Sequence, residues 1–278
     1  SSSQKEVAQY ILDKKLEIEK LTIQELAHQT YTSPATIIRL AKKLGYEGYE
    51  SFKKNFLEEQ KYILTHFNHI DPNFPFTKND TIQTISSKMT TLSKETLDDT
   101  LSLLKHDDLQ KAVALLQKAN IIHLSAISYS LLLGQTFQLN MNRLGKMVHI
   151  CPINGEELFM DNLIHEDDCL LMVSYSGQID SMIHLARLAK RKGVSIIVIT
   201  SLGDNDLRKY GDVVLNISTR EKLYSKIGGF VNENSIKLIL DILYACYFEL
   251  NYDDNLNKRI NISKESETTR FSSLDIMK

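Results

Sequence analysis

The chain has no tryptophan, four prolines, eleven glycines and three cysteines in 278 residues. Cys151, Cys169 and Cys246 show no C-x-x-C spacing and each lies in an apolar run. That excludes a disulfide framework and a cysteine-rich metal site, and it predicts reduced thiols in a cytoplasmic protein. No segment approaches the roughly 18 consecutive apolar residues of a membrane span, and the polar N-terminus does not resemble a secretion signal. Membrane partners are therefore not expected, and the cytoplasm is the expected location. An excess of charge of one sign is lacking too. The formal net charge is −2, so any surface built for nucleic acid must be local. His66 and His69 are three apart, but only Asp71 lies near them, and no metal or other cofactor is expected.

Residues Cys169 to Gly193 organise the remainder. Residues 169–173 are an unbroken apolar block, the pattern of a strand buried on both faces of a parallel sheet. From Ile179 the period changes, and Ile179, Met182, Ile183, Ala186 and Ala189 fall on one helix face. Gly193 stands where a left-handed helix stop is wanted. Between strand and helix lies Ser174-Tyr175-Ser176-Gly177-Gln178. A helix N-terminus carries unpaired N–H groups and partial positive charge, so such a turn suits an anion such as phosphate. The same residues also serve as an N-cap and tight turn with no ligand.

The first sixty residues read as small helices. Val7, Ile11 and Leu12 give a first apolar face. Thr22 with Glu25 forms a capping box for a second helix, Ile23 to Gln29. Thr30-Tyr31-Thr32 forms the break that follows. Ser33-Pro34 then starts a third helix that ends at Gly45, with Ile37, Leu40, Ala41 and Leu44 inward. This is the outline of a helix-turn-helix. Small or hydroxyl residues near the start of its second helix (Thr32, Ser33, Ala35, Thr36) can approach base edges, while Arg39 and Lys43 reach bases or phosphates. Lys53 and Lys54 on the next helix are candidates for phosphate contact. Residues 1–60 carry nine basic and nine acidic side chains, so charge alone does not separate this reading from a solvated helical hairpin.

Residues 65–80 hold two of the four prolines and little periodicity, and are read as a linker. Asp80 is expected to cap a helix running to Leu104, and Asp107 or Asp108 the next. Five apolar runs then alternate with helical segments, namely 121–124, 148–151, 170–173, 196–199 and 213–217, which predicts a parallel sheet covered on both sides. A last helix is expected over 232–252. The predicted division is a helix-turn-helix domain over 1–64, the linker, an α/β domain over 81–252, and a polar tail over 253–278 that is mobile or draped over a partner.

Two stretches carry family resemblances. Ser33-Pro34-Ala35-Thr36-Ile37-Ile38-Arg39-Leu40 with Lys42-Lys43-Leu44-Gly45-Tyr46-Glu47-Gly48-Tyr49 resembles the N-terminal domain of RpiR-type transcriptional regulators. Ser174-x-Ser176-Gly177 after a buried strand, with Ile199-Thr200 closing the next, resembles the sugar isomerase (SIS) domain. The SIS resemblance implies an α/β sandwich that binds phosphorylated sugars through Ser174, Ser176, Gly177 and Gln178. Its other wall follows the first strand, where the family has Gly-x-Gly-x-Ser. Here Ser125-Ala126-Ile127-Ser128-Tyr129-Ser130 leaves Ser128 or Ser130 as donors, and Ile127 and Tyr129 predict a narrower pocket. Ile179 stands where the family usually has threonine.

The resemblances imply a regulator that binds double-stranded operator DNA as a homodimer or tetramer and senses a sugar phosphate, with no catalytic residue. The alternatives are a phosphosugar isomerase or lyase with a helical extension, using Glu156, Glu157 or Glu233 as base, and a regulator whose SIS domain has lost its ligand.

Overall fold

The computed structural model describes residues 2–66, 70–151 and 163–266, together with residues 274 and 276. The chain forms two compact units, Ser1–Asp71 and Pro72–Lys278.

The first unit is helical. It comprises α1 (Ser2–Lys14), a 3-10 helix (Lys15–Lys20), α2 (Ile23–Gln29), α3 (Pro34–Lys43) and α4 (Tyr49–His66). The capping box forms as the residues require: Thr22 Oγ1 accepts from Glu25 N, and the Glu25 carboxylate accepts from Thr22 N at 2.7 Å. Ser33 caps α3, with Pro34 at its first position. Val7, Ile11, Ile18, Leu26, Ile37 and Phe52 fill the core. Two expected core residues lie outside it. Val7 and Ile11 already make the inward pair of α1, which turns Leu12 outward, and Leu44 is the C-cap of α3 and 54% exposed. Tyr31 takes φ +49° in the α2–α3 turn.

The second unit contains α5 (Ile82–Leu103), α6 (His106–Lys118), β1 (Ile122–Ala126), α7 (Tyr129–Asn142), β2 (Val148–Ile150), β3 (Cys169–Ser174), α8 (Asp180–Arg191), β4 (Ser195–Ser201), β5 (Val213–Ile217), α9 (Phe230–Glu249) and α10 (Tyr252–Ser266). A 3-10 helix, Leu207–Tyr210, joins β4 to β5. The five strands are all parallel, in the order β2-β1-β3-β4-β5. The sheet is covered on both sides, as the apolar runs predict. Ile122, Leu124, Leu171, Val173 and Ile199 meet α6, α7 and α9 on one face. Leu170, Met172, Ile196 and Val198 meet α8 and the 3-10 helix on the other.

Several boundaries differ from the sequence expectation. Thr81, not Asp80, caps α5, because Asp80 is already bound to Thr77 N and to Lys88 Nζ. Neither Asp107 nor Asp108 caps α6. Both lie in its first turn, where the helix dipole favours them. Pro72, Asn73 and Pro75, expected in a free linker, are buried within the second unit. Residues 253–266, expected in a polar tail, are helical. The start of α10 is held by buried Asn255, whose Nδ2 donates to Phe248 O at 2.9 Å, a contact with no apolar period to announce it. His69, Glu156, Glu157 and most of the tail beyond 266 lie outside the described residues, as do the His66 and Ile63 side chains.

Candidate functional site

β1 and β3 are neighbours in the sheet, yet β1 leads outward to β2 while β3 leads the opposite way to β4. The crevice above the carboxyl ends of such a strand pair is where open α/β sheets bind ligands. A cleft of about 260 Å³ lies there. Ser128 and Ser130 from the β1–α7 turn, and Ser174 and Ser176 from the β3–α8 turn, line it together. The two serine pairs are far apart in sequence, and the crossover through β2 returns them to one place.

Each turn has its own local physics. Ser128 is the N-cap residue of α7, with φ +58° and ψ −132°, yet its side chain makes no cap bond. α8 likewise has no side-chain cap, since its N-cap residue is Ile179. Two helix N-termini with their partial positive charge thus reach the cleft without a side-chain cap, and only α8 carries an acidic residue, Asp180, in its first turn. Ser174 Oγ accepts from Gly177 N at 3.1 Å, and Ser176 Oγ accepts from Gln178 N at 3.3 Å. Both hydroxyls keep a proton to donate.

Three residues read from the sequence stand differently in space. Gly177 is buried and takes φ +61°, and an added Cβ would lie 2.0 Å from Asn205 Oδ1. Its lack of a side chain therefore makes room for Asn205. Gln178 is exposed and outside the lining. Tyr129, expected to narrow the pocket, is exposed beside the cleft, whereas Ile127 does line it.

The third wall has no counterpart in the sequence reading. Leu223 and Lys226, from the loop between β5 and α9, and Asn232 near the start of α9 complete the lining. Lys226 Nζ bonds Glu221 Oε2 at 2.8 Å and lies 5.4 Å from the centre of the Tyr175 ring. Tyr175 donates to Glu221 O at 2.5 Å, and burial raises its phenol above the usual range. No periodicity or motif singles out this loop. Glu233 lies one residue past Asn232 and does not line the cleft. Burial, followed by the nearby Glu221 carboxylate, holds its carboxyl above the usual value.

In the first unit, Ala35, Arg39 and Lys43 are exposed on α3, with Arg39 Nε donating to Ala35 O at 3.2 Å. The Ser33 and Thr36 hydroxyls bond one another at 3.1 Å, and Thr32 Oγ1 bonds Thr30 Oγ1 at 2.9 Å. Lys54 is exposed. Lys53 is not a free cation: its Nζ donates to Leu21 O at 2.8 Å and ties α4 to the start of α2.

The chain thus joins a helix-turn-helix unit to an α/β domain with a serine-lined switch-point cleft. Residues 1–61 match the helix-turn-helix domain of the rpiR family, and residues 115–243 match the SIS domain. The chain is 24% identical over 262 residues to an uncharacterized HTH-type transcriptional regulator of Caldanaerobacter subterraneus subsp. tengcongensis, covering 94% of this chain and 91% of that protein. Among solved structures, the Vibrio vulnificus NanR protein complexed with ManNAc-6P aligns with a TM-score of 0.64 at 22% identity, over 95% of this chain and 94% of that one. The sugar isomerase domain of an RpiR transcription factor from Sphaerobacter thermophilus aligns with a TM-score of 0.58 at 16% identity, over 64% of this chain and 98% of that one. These two likenesses establish the fold. Among the described residues no helix is long and apolar enough to cross a membrane.

Proposed function

We infer that the protein is a transcriptional regulator that binds operator DNA through α3 and senses a phosphorylated sugar in the second unit. The observation that carries the effector half is the convergence of Ser128, Ser130, Ser174 and Ser176 on one cleft, beside the uncapped N-termini of α7 and α8. Hydroxyl donors and helix N-termini suit a phosphate, and the small, open, mixed cleft suits a sugar. The Vibrio NanR complex, with its phosphosugar, supports this class of ligand. Ala35, Arg39 and Lys43 form the base-reading face, with Lys54 toward phosphate. Thr32, Ser33 and Thr36 contribute through the shape of the turn and the cap of α3.

Pairing of two copies fits the surface of α5. Its buried residues include Thr96, Asp99 and Thr100, whereas Leu97 and Leu101, one turn apart, are exposed. That inverted pattern suits a homodimer, which would also match paired DNA half-sites in the cytoplasm.

The test is thermal unfolding of the full chain with hexose, pentose and N-acetylamino-sugar phosphates beside the same sugars without phosphate. Binding to the folded state alone raises the melting temperature, so a phosphate-dependent rise is expected. The absence of any rise at millimolar ligand would overturn the sensor reading, and DNA affinity without salt dependence would overturn the DNA half. The isomerase alternative has one observation on its side, the raised carboxyl of Glu233 beside the cleft. Conversion of any panel member on incubation would establish it.

A further inference from the structure

The third wall of the cleft is held from the segment that opens the second unit. Lys222 N donates to Asn73 Oδ1 at 2.7 Å, and Ile227 N donates to Asn73 O at 2.9 Å. Those two amides bracket Leu223 and Lys226, the loop's two cleft-lining residues. Asn73 therefore closes the 222–227 loop like a clasp, and it is itself buried. Elsewhere in the loop, Lys226 is held by Glu221 Oε2 and the Tyr175 ring, whereas Leu223, Tyr224 and Ile227 are exposed and Ser225 takes φ +57°. The stretch just before the loop is anchored on α5. Buried Arg220 donates to Glu95 of α5 at 3.1 Å, and Ser218 Oγ bonds Asp99 of α5. Asn73 stands two residues past Asp71, the last residue of the DNA-binding unit.

Resting on the sensor reading above, we propose that Asn73 is a positioning residue that sets the Leu223–Lys226 wall and couples occupancy of the cleft to the segment leading into the DNA-binding unit. A ligand touching Lys226 or Leu223 fixes the loop, and the loop's two bonds to Asn73 pass that constraint to residues 70–76. Coupling is reciprocal, so DNA bound by the first unit alters ligand affinity by the same factor.

The experiment uses the full chain, the panel sugar phosphate giving the largest thermal shift, and a 30-base-pair duplex selected by the wild type from a random pool. DNA affinity is measured with and without saturating sugar phosphate, and their ratio is the coupling. Asn73→Ala removes the acceptor for Lys222 N, while Asn73→Asp keeps one. The alanine variant is expected to bind the sugar phosphate up to about tenfold more weakly. It should bind DNA normally without ligand and lose most of the coupling ratio, and Asn73→Asp should restore that ratio. A lowered stability alone would not move a ratio taken at saturation. Hydrogen exchange of the wild type gives a readout free of mutation: on adding the sugar phosphate, peptides covering 70–80 and 218–230 should gain protection together. An unchanged ratio in Asn73→Ala, or protection of 218–230 without 70–80, overturns the proposal while leaving the sensor reading intact. Silence of the whole panel removes the sensor reading and this proposal with it.

Discussion

Gly177→Ala is expected to destabilise the second unit even when no ligand is present. A side chain at φ +61° costs about 1–2 kcal/mol in backbone strain. The new Cβ would also stand 2.0 Å from Asn205 Oδ1 and 2.2 Å from its Cγ, so Asn205 must move. Asn205 is buried, donating to Thr200 Oγ1 at 3.2 Å and accepting from Arg208 N at 3.1 Å. Each buried group left without its partner costs about 1–3 kcal/mol. The lower unfolded-state entropy of alanine offsets under about 1 kcal/mol of this. The expected loss is roughly 3–6 kcal/mol, a large part of the 5–15 kcal/mol of a typical domain. Urea unfolding followed by circular dichroism would show it as a midpoint lowered by about 1–3 M for the transition of the α/β unit. Asn205→Ala combined with Gly177→Ala should cost less than the two separately, because both remove the same bonds. Unchanged stability with only sugar-phosphate affinity lost would refute this reasoning and return Gly177 to the ligand.

Tyr31→Gly should raise the stability of the helical unit, by about 0.5–1 kcal/mol, since relief of strain at φ +49° exceeds the entropy that glycine adds to the unfolded chain. Its ring is 97% exposed and packs on nothing that would offset the gain, and a lowered melting temperature would count against this. Arg39→Ala should weaken binding to a selected duplex by about 1–3 kcal/mol with little effect on random DNA, read by titration at fixed salt. Lys53→Ala should lower stability by about 0.5–1.5 kcal/mol through loss of its bond to Leu21 O, whereas Lys54→Ala should weaken selected and random DNA equally at unchanged stability. Acid should destabilise the second unit in two stages. Burial, against the pull of Asp168, lowers the His123 pKa, so protonating it in the folded state is disfavoured and stability falls as pH drops below about 6.5. Burial raises Asp168, but N–H donors from His165, His123 and Ile121 outweigh it and leave the carboxyl below its usual value. Its contribution is present above about pH 3.9 and is lost as pH falls through the lowered value. His123→Gln should flatten the first stage, which urea unfolding at pH 7 and pH 5.5 would test.

Local chemistry was enough to read the elements whose causes are local. The Thr22–Glu25 box, Ser33-Pro34 at the head of α3 and the stop at Gly193 each follow from residues within one turn of one another. The five strands were equally legible, because a strand buried on both faces is largely apolar, as residues 169–173 of β3 are, although β1 also buries His123 and Ser125. The serines of the two turns could be named from sequence, since hydroxyls at helix starts have a fixed use.

What the sequence by itself determined, then, is most of the helices, the strands and the turns between them, though not α10, together with the hydroxyls that two of those turns present. Only the tertiary structure decided which partners meet across long stretches of chain. Asn205 reaches under Gly177 from 28 positions away and gives that glycine its purpose. Lys226 closes a cleft whose first serine is Ser128, and Asn73 grips a loop 149 residues downstream. Lys53 is taken up by a carbonyl 32 residues back. Such contacts have no period and no local signature, because a buried amide or ammonium needs only a partner at hydrogen-bond distance, and the packing of the sheet and its helices chooses which one.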